Sequence, residues 1–133
     1  MTPIIESQLK LLQTDFPTAS ATMLPSGAHL IEIPDVELPA GWNQKTVTVL
    51  FLAPPGYPAA QPDCFWVEVK GPGRLRLQGG GTPQNSNDAN PIPGLNPPRQ
   101  VTWFSWHLQN WNPNQSSLVT FFNVVMQRLR PAR

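Results

Sequence analysis

Apolar residues recur at helical spacing in one segment near each end of the chain. In the first segment, intervals of four, three and four residues place the apolar side chains on one face of a helix over residues 2–16. Thr2 is the predicted amino-terminal cap, Pro3 occupies the first helical position, and Pro17 ends the helix. The residues of this stripe are Ile5, Leu9, Leu12 and Phe16.

The second helical pattern lies at the other end of the chain and runs to Leu129. Pro131 ends this helix because proline interrupts the hydrogen-bond ladder. Asn114 or Ser116 is the predicted cap, since short polar side chains accept hydrogen bonds from the first free N–H groups. The apolar stripe consists of Leu118, Phe121, Phe122, Val125 and Leu129.

Between the helices, alternating and β-branched runs predict a four-stranded antiparallel meander at residues 18–24, 29–33, 46–52 and 64–69. The third run is apolar on both faces, which indicates a central strand. A short strand at 74–77 follows, and residues 78–100 form a long loop rich in Gly, Asn and Pro. The order helix, meander, loop, helix predicts an α+β fold in a single domain over residues 1–133.

The composition is that of a folded protein with little net charge. Hydrophobic residues make up 40% of the 133 residues, and five tryptophans add apolar surface for a core. Only 13% of residues are charged and the net charge is +1, so the basic stripe expected for nucleic acid or an anionic membrane is missing. Four arginines near the end are predicted to be solvated: Arg99, Arg128, Arg130 and Arg133.

Cysteine usage and the amino terminus exclude further classes of protein. A single cysteine leaves no internal disulfide and none of the usual zinc arrangements, so no metal or other cofactor is predicted. The amino terminus lacks the basic run and apolar core of a signal peptide, and no run approaches the roughly 18 apolar residues of a membrane span. The cytoplasm is therefore the predicted compartment.

Two proline-containing elements carry a family resemblance. The first is a bend directly after the third predicted strand, in which Pro54, Tyr57, Pro58 and Pro62 have the form Pro-x-x-Tyr-Pro-x-x-x-Pro. The second is a Trp-Asn-Pro step that begins at Trp111, ahead of the last helix. Together they resemble the ubiquitin-conjugating enzymes, in which such a bend links two strands and a Trp-x-Pro signature precedes the second helix.

The resemblance covers most of the chain, from the first helix to Leu129. It implies a truncated version of that fold, because the chain stops where the last two helices of typical members would begin. Short versions of this kind are similar to the divergent prokaryotic branch called family E. That branch implies three partners: a ubiquitin-like protein, an adenylating activating enzyme, and a metallopeptidase of the deubiquitinase type.

The catalytic cysteine of the family is missing. Its position, about eight residues before the Trp-Asn-Pro step, holds Trp103, and the surrounding window of residues 101–107 contains no cysteine. Upstream there is no His-Pro-Asn triplet. Ser105 is the candidate nucleophile, because His107 lies two residues on, points the same way in extended chain, and can accept the hydroxyl proton. The carried acyl group would be an oxyester, with Asn96 as candidate oxyanion donor.

Five other positions are weighed against a structural role. Thr102 is a lesser candidate nucleophile, since its β-branched side chain also fits a plain strand. Cys64 is the only thiol, yet it lies far along the sequence from the window, so packing is the favoured alternative. The indole side chains near the window either contact the ubiquitin-like partner or pack against the last helix. They belong to Trp103, Trp106 and Trp111.

Two functions of different classes follow. The first is an acyl carrier that accepts the carboxy terminus of a ubiquitin-like protein from an activating enzyme and passes it to a target amine. The second is a catalytically inactive adaptor that binds a ubiquitin-like protein or a partner enzyme, and the missing cysteine favours it. The resemblance to a branch that works with an activating enzyme favours the carrier.

Overall fold

The computed structural model describes residues 2–133 as two helices and a six-stranded antiparallel sheet. In chain order the elements are α1 (Pro3–Asp15), β1 (Ser20–Met23), β2 (His29–Glu37), β3 (Thr46–Ala53), β4 (Phe65–Glu68), β5 (Ser86–Asn87), β6 (Thr102–Phe104) and α2 (Leu118–Leu129). The strands lie in the order β1-β2-β3-β4-β6-β5, so the last two strands extend the predicted meander at the β4 edge. The predicted α+β class is confirmed.

Both helices pack on one face of the sheet and enclose the larger core. Three residues of the predicted α1 stripe, Ile5, Leu9 and Leu12, are buried there, and Phe16 is partly buried just past the end of the helix. The second helix, α2, contributes Phe121, whose ring centroid lies 4.8 Å from that of Phe51 on β3. Burial of one such aromatic side chain stabilises the fold by about 2–3 kcal/mol. The strand residues alternate, with Ile31 and Ile33 of β2 facing the helices and Leu30 facing the opposite side.

The opposite face of the sheet is covered by the long loop that precedes β6. Ile92 and Val101 pack with Leu50 and Trp66 in a second apolar cluster, and the Trp66 indole Nε1–H donates to the Asn90 carbonyl at 2.8 Å. This cover explains why β3 is apolar on both faces. It also confirms that β3 is an inner strand, paired with β2 and β4.

Arg99 fastens this loop to the sheet. Its guanidinium donates four hydrogen bonds, two to the Glu32 carboxylate of β2 and two to the Glu68 carboxylate of β4, at 2.5–3.0 Å. The two carboxylates raise the pKa of Arg99 above its usual range. The prediction that Arg99 is simply solvated is therefore wrong, and so is the same prediction for Arg128, which is fully buried.

The predicted strand at residues 74–77 is wrong, and two short strands were missed. Only a single bridge, between Leu77 and Trp42, forms there, because the Arg76 N–H donates to the Asn43 side chain instead of to a strand carbonyl. The side chains of Arg74 and Arg76 lie next to Asp88. Arg76 and Thr102 both donate to the Asp88 carboxylate. Burial opposes ionisation of Asp88, but these hydrogen bonds outweigh it and hold the pKa of that carboxyl below its usual range.

The two helices begin with side-chain caps. The Thr2 hydroxyl accepts the Ile5 N–H at 3.3 Å, as predicted. In α2 the cap is Ser117 rather than Asn114 or Ser116, since the Ser117 side chain accepts the Thr120 N–H and the Thr120 hydroxyl accepts the Ser117 N–H. This reciprocal pair satisfies two donors that would otherwise have no partner. None of the helices in residues 2–133 is long and apolar enough to cross a bilayer.

The proline-rich bend is tied to both helices. The Tyr57 hydroxyl donates to Gln8 Oε1 of α1 at 2.5 Å, and the same oxygen accepts the Leu118 N–H at 3.1 Å. The Trp111 indole N–H donates to the Pro58 carbonyl at 2.8 Å. These bonds join the two elements that carry the family resemblance.

Replacing Arg99 with Met should lower the free energy of unfolding by about 2 kcal/mol, because charged hydrogen bonds are lost and two carboxylates face each other without a cation. Chemical denaturation monitored by tryptophan fluorescence measures the change. Adding Glu32→Gln and Glu68→Gln to the Arg99→Met chain should recover part of the loss. An Arg99→Met chain as stable as the wild type would contradict the role given to this cluster.

The buried His29 should make the fold less stable in mild acid. Its side chain is 5% exposed and Nε2 has no hydrogen-bond partner among residues 2–133. Burial lowers the pKa of His29 from 6.5, so below that pH the unfolded chain binds more protons than the folded chain. Between pH 7 and pH 5 the free energy of unfolding should therefore fall, and it should fall less in His29→Gln. Identical pH dependence in the two proteins would contradict this assignment.

Candidate functional site

The window expected to carry the chemistry lies at the end of the β4–β6 pair. Phe65 pairs with Phe104 across the two strands, and their rings stack with centroids 4.9 Å apart and planes 4° from parallel. Beyond this pair the Cys64 N–H donates to the Trp106 carbonyl at 3.1 Å. Residues 63–64 and 105–107 therefore lie side by side. We call Asp63, Cys64, Ser105, Trp106 and His107 the strand corner.

The His107 side chain is hydrogen-bonded to the carboxylate of Asp63 and not to the Ser105 hydroxyl. Its Nδ1 is hydrogen-bonded to Asp63 Oδ1, and both side chains are more than half exposed. When Nδ1–H donates to a carboxylate, Nε2 keeps its lone pair and can accept a proton from a nucleophile. Within residues 2–133 no hydrogen bond joins Ser105 Oγ to His107. The Ser105–His107 pairing stays a prediction.

Ser105 is fixed through its backbone. The Ser105 N–H donates to the Asn85 carbonyl at 2.8 Å, and the side chain is half-buried. Asn85 adopts a φ of 59°, in the left-handed region that asparagine tolerates better than most residues. The Ser105 backbone is thus held by the turn at Asn85, which leads into β5.

The two other predicted polar participants lie elsewhere. Thr102 has no exposed surface, and its hydroxyl donates to Asp88 Oδ1 at 3.0 Å, so its role is to anchor the loop. Asn96 is exposed in the loop over the opposite face of the sheet, and no hydrogen bond within residues 2–133 joins it to Ser105 or His107. An oxyanion role for Asn96 stays a prediction.

Cys64 lies inside the strand corner, although it precedes the window by about forty residues. Cys64 is distant from the window in sequence but close to it in space, because β4 and β6 are neighbouring strands. The thiol is half-buried, and the Cys64 backbone has a φ of 54°. Burial raises the pKa of Cys64, the Trp103 indole opposes that rise, and the Asp63 charge adds to it. The thiol is therefore the protonated, weakly reactive form at neutral pH.

An open groove of about 490 Å³ adjoins the corner. It lies between the ends of β3 and β4 and the loop that covers the outer sheet face, and its lining includes two tryptophans. A similar depression of about 510 Å³ lies between the α1–β1 turn and α2, and no residue of the strand corner lines it. The groove next to the corner is lined by Leu52, Pro54, Gln61, Asp63, Cys64, Trp66, Asn90, Pro91, Pro93 and Trp103.

The three candidate partner-binding tryptophans do not form one patch. Trp103 lines the groove, whereas Trp106 and Trp111 pack against the core on the helix side. The Trp111 ring centroid lies 5.8 Å from that of Tyr57. Their contact with a ubiquitin-like partner stays a prediction, and each of them also has a packing role.

Asp63 is the residue that sequence reasoning missed. It stands next to Cys64 on the bend side of β4, and no local pattern links it to His107, which lies 44 residues away. Only the pairing of β4 with β6 could have revealed it. Among residues 2–133 no group of three or more His, Cys, Asp or Glu side chains could hold a metal ion.

Alkylation should report the environment of Cys64. At pH 7.5 we expect iodoacetamide to react with the folded protein at least about tenfold more slowly than with the same chain in denaturant, because burial raises the thiol pKa and limits access. Mass spectrometry over time gives both rates. Equal rates in the two conditions would contradict the protonated, half-buried thiol.

The comparisons with known proteins identify one family. The model of the family described as prokaryotic E2 family E matches residues 8–132, where E2 denotes the ubiquitin-conjugating class. No curated protein and no solved structure matches the chain. The family supports a carrier role of the ubiquitin-conjugation type. The chain therefore belongs to prokaryotic E2 family E, a divergent branch of the ubiquitin-conjugating fold.

Proposed function

We propose that this protein carries the carboxy terminus of a ubiquitin-like protein as an oxyester on Ser105, after receiving it from an adenylating activating enzyme. The observation that carries the proposal is the Asp63–His107 pair beside Ser105, in the window where the family places its nucleophile. A hydroxyl needs a base to attack at neutral pH, and an imidazole oriented by a carboxylate is such a base.

Loading is an acyl transfer in which bonds and protons balance. Ser105 Oγ forms a bond to the terminal carbonyl carbon while the bond from that carbon to the activating enzyme's leaving group breaks. The hydroxyl proton passes to His107 Nε2 and then to the leaving group. In the second step a target amine attacks the ester carbon, and the bond from that carbon to Ser105 Oγ breaks as the amide forms. The proton that the amine loses passes through His107 to Ser105 Oγ.

The structure gives His107 room to take part in this step. The His107 and Asp63 side chains are 54% and 64% exposed, so the imidazole can turn toward Ser105 when a partner covers the corner. Catalytic hydrogen bonds are often incomplete before the substrate binds. The open groove next to Cys64 leaves space for chain from the ubiquitin-like protein.

Cys64 is the alternative acceptor in the same corner. A thioester on Cys64 would use the usual nucleophile of the fold from a different strand. Burial raises the pKa of Cys64 and so disfavours its thiolate. His107 is hydrogen-bonded to Asp63 and to neither candidate nucleophile within residues 2–133, so it does not decide between them. Ser105 is preferred because it lies in the window where the family resemblance places the nucleophile.

A second function is a catalytically inactive adaptor. Two observations favour it: the window contains no thiol, and Ser105 Oγ makes no hydrogen bond to His107 within residues 2–133. Such an adaptor would bind the ubiquitin-like protein or a partner enzyme without forming a covalent product.

The bond chemistry of a trapped intermediate tests the proposal. The protein is incubated with activating enzyme, ubiquitin-like protein and ATP, and adducts are resolved by mass spectrometry. We expect an adduct that resists dithiothreitol and is cleaved by mild alkali, as an oxyester is. It should be lost in Ser105→Ala and form about 10²–10⁴-fold more slowly in His107→Gln.

Two further variants serve as controls. Ser20→Ala removes an exposed hydroxyl on the edge strand β1 and should load like the wild type. Cys64→Ala should also keep the adduct. An adduct that dithiothreitol cleaves and that is lost in Cys64→Ala would place the acyl group on the thiol instead. Tight binding with no adduct under any condition would favour the adaptor.

A further inference from the structure

Arg128 of α2 is a cation buried beneath the strand corner. Its side chain has no exposed surface, and its guanidinium carbon lies 4.9 Å from the Phe104 ring centroid and 5.7 Å from that of Trp106. In residues 2–133 no salt bridge includes Arg128. The partners of this charge are aromatic faces and main-chain oxygens, one of Gln84 and one of Arg133, the last residue of the sequence.

The hydrogen bonding of this guanidinium is incomplete. Nη2 donates to the Gln84 carbonyl at 2.5 Å and to the Arg133 carbonyl at 2.9 Å. Nε and Nη1 are buried and have no partner among residues 2–133. Burial, and secondarily the Arg133 charge, lower the pKa of Arg128 to about 10. A buried cation of this kind is unfavourable for stability, and an apolar side chain of similar length would fill the space without that cost.

The contacts of Arg128 converge on Ser105 from two sides. Phe104 and Trp106 are the residues directly before and after Ser105. Gln84 directly precedes Asn85, whose carbonyl accepts the Ser105 N–H. One guanidinium thus joins the strand that carries Ser105 to the turn that holds its backbone.

We propose that Arg128 is a positioning residue that fixes the Ser105 backbone, and with it the direction of the Ser105 hydroxyl. This inference rests on the proposed role of Ser105 as acyl acceptor. Arg128 touches neither the hydroxyl nor the acyl group, so it acts through Phe104, Trp106 and the Gln84–Asn85 turn. Acyl transfer is sensitive to such placement, because small displacements of a nucleophile slow the reaction strongly.

Hydrogen exchange of single amides tests the positioning directly. In Arg128→Met we expect the Ser105 amide to exchange at least about tenfold faster than in the wild type, relative to the Ile31 amide of the β1–β2–β3 region. Single-turnover loading should slow by about tenfold or more, with the half-saturating concentration of the charged activating enzyme unchanged. A slower loading rate at an unchanged half-saturating concentration indicates that Ser105 is misplaced, not that binding of the activating enzyme is lost.

Two matched variants separate positioning from general stability. Ile33→Ala removes buried apolar volume from β2, away from the corner, and should speed exchange of the Ile31 and Ser105 amides together. Arg130→Met removes an exposed positive charge two residues along the chain and should change neither quantity. Arg128→Lys keeps the charge but loses the planar guanidinium, so the Ser105 amide should exchange faster in this variant too. It replaces Arg128→Met in the test if Arg128→Met does not fold.

The outcomes distinguish this inference from the proposed function. Wild-type exchange at Ser105 in both Arg128 variants, or exchange that rises only in step with Ile33→Ala, would overturn the positioning role. Selective loosening of the Ser105 amide with slower loading would support it. A wild-type protein that forms no covalent adduct would overturn the proposed function, and selective loosening in that case would still establish what Arg128 holds in place.

Discussion

The pairing of β4 with β6 is the constraint on which the candidate site depends. These strands are short, and the stacked Phe65 and Phe104 rings bury the pair in the core beneath the helices. Because the pairing is antiparallel, the residues before β4 meet the residues after β6. Asp63 and Cys64 are thereby brought beside Ser105 and His107 in a single corner.

A small number of charged side chains link the long loop and the turn before β5 to the rest of the fold. Only 13% of the residues are charged, yet Arg99, Asp88 and Arg128 each join segments far apart in sequence. Asp88 and Arg99 secure the loop that covers the outer face of the sheet, while Arg128 secures the turn next to Ser105. Long loops are usually functional or mobile, and this one is bonded to the sheet through Arg99 and Asp88.

The sequence predicted the elements that depend on local pattern. The α1 stripe with its Thr2 cap and the inner position of β3 follow from spacing and from apolar residues on both strand faces. Sequence patterns did not predict the elements whose structure depends on partners distant in the chain. β6 has only three residues and is a strand because β4 lies beside it. The pairing of Ser105 with His107 stays a prediction. Asp63 could not be found without the strand order.

The central claim is that residues 63–64 and 105–107 form one corner, and a scalar coupling across a hydrogen bond tests it most directly. Nuclear magnetic resonance on labelled protein can detect the coupling between the Cys64 amide nitrogen and the Trp106 carbonyl carbon. The account predicts that coupling, together with contacts between the Phe65 and Phe104 rings. A Cys64 amide that exchanges as fast as an exposed amide, with no contact between those rings, would contradict it.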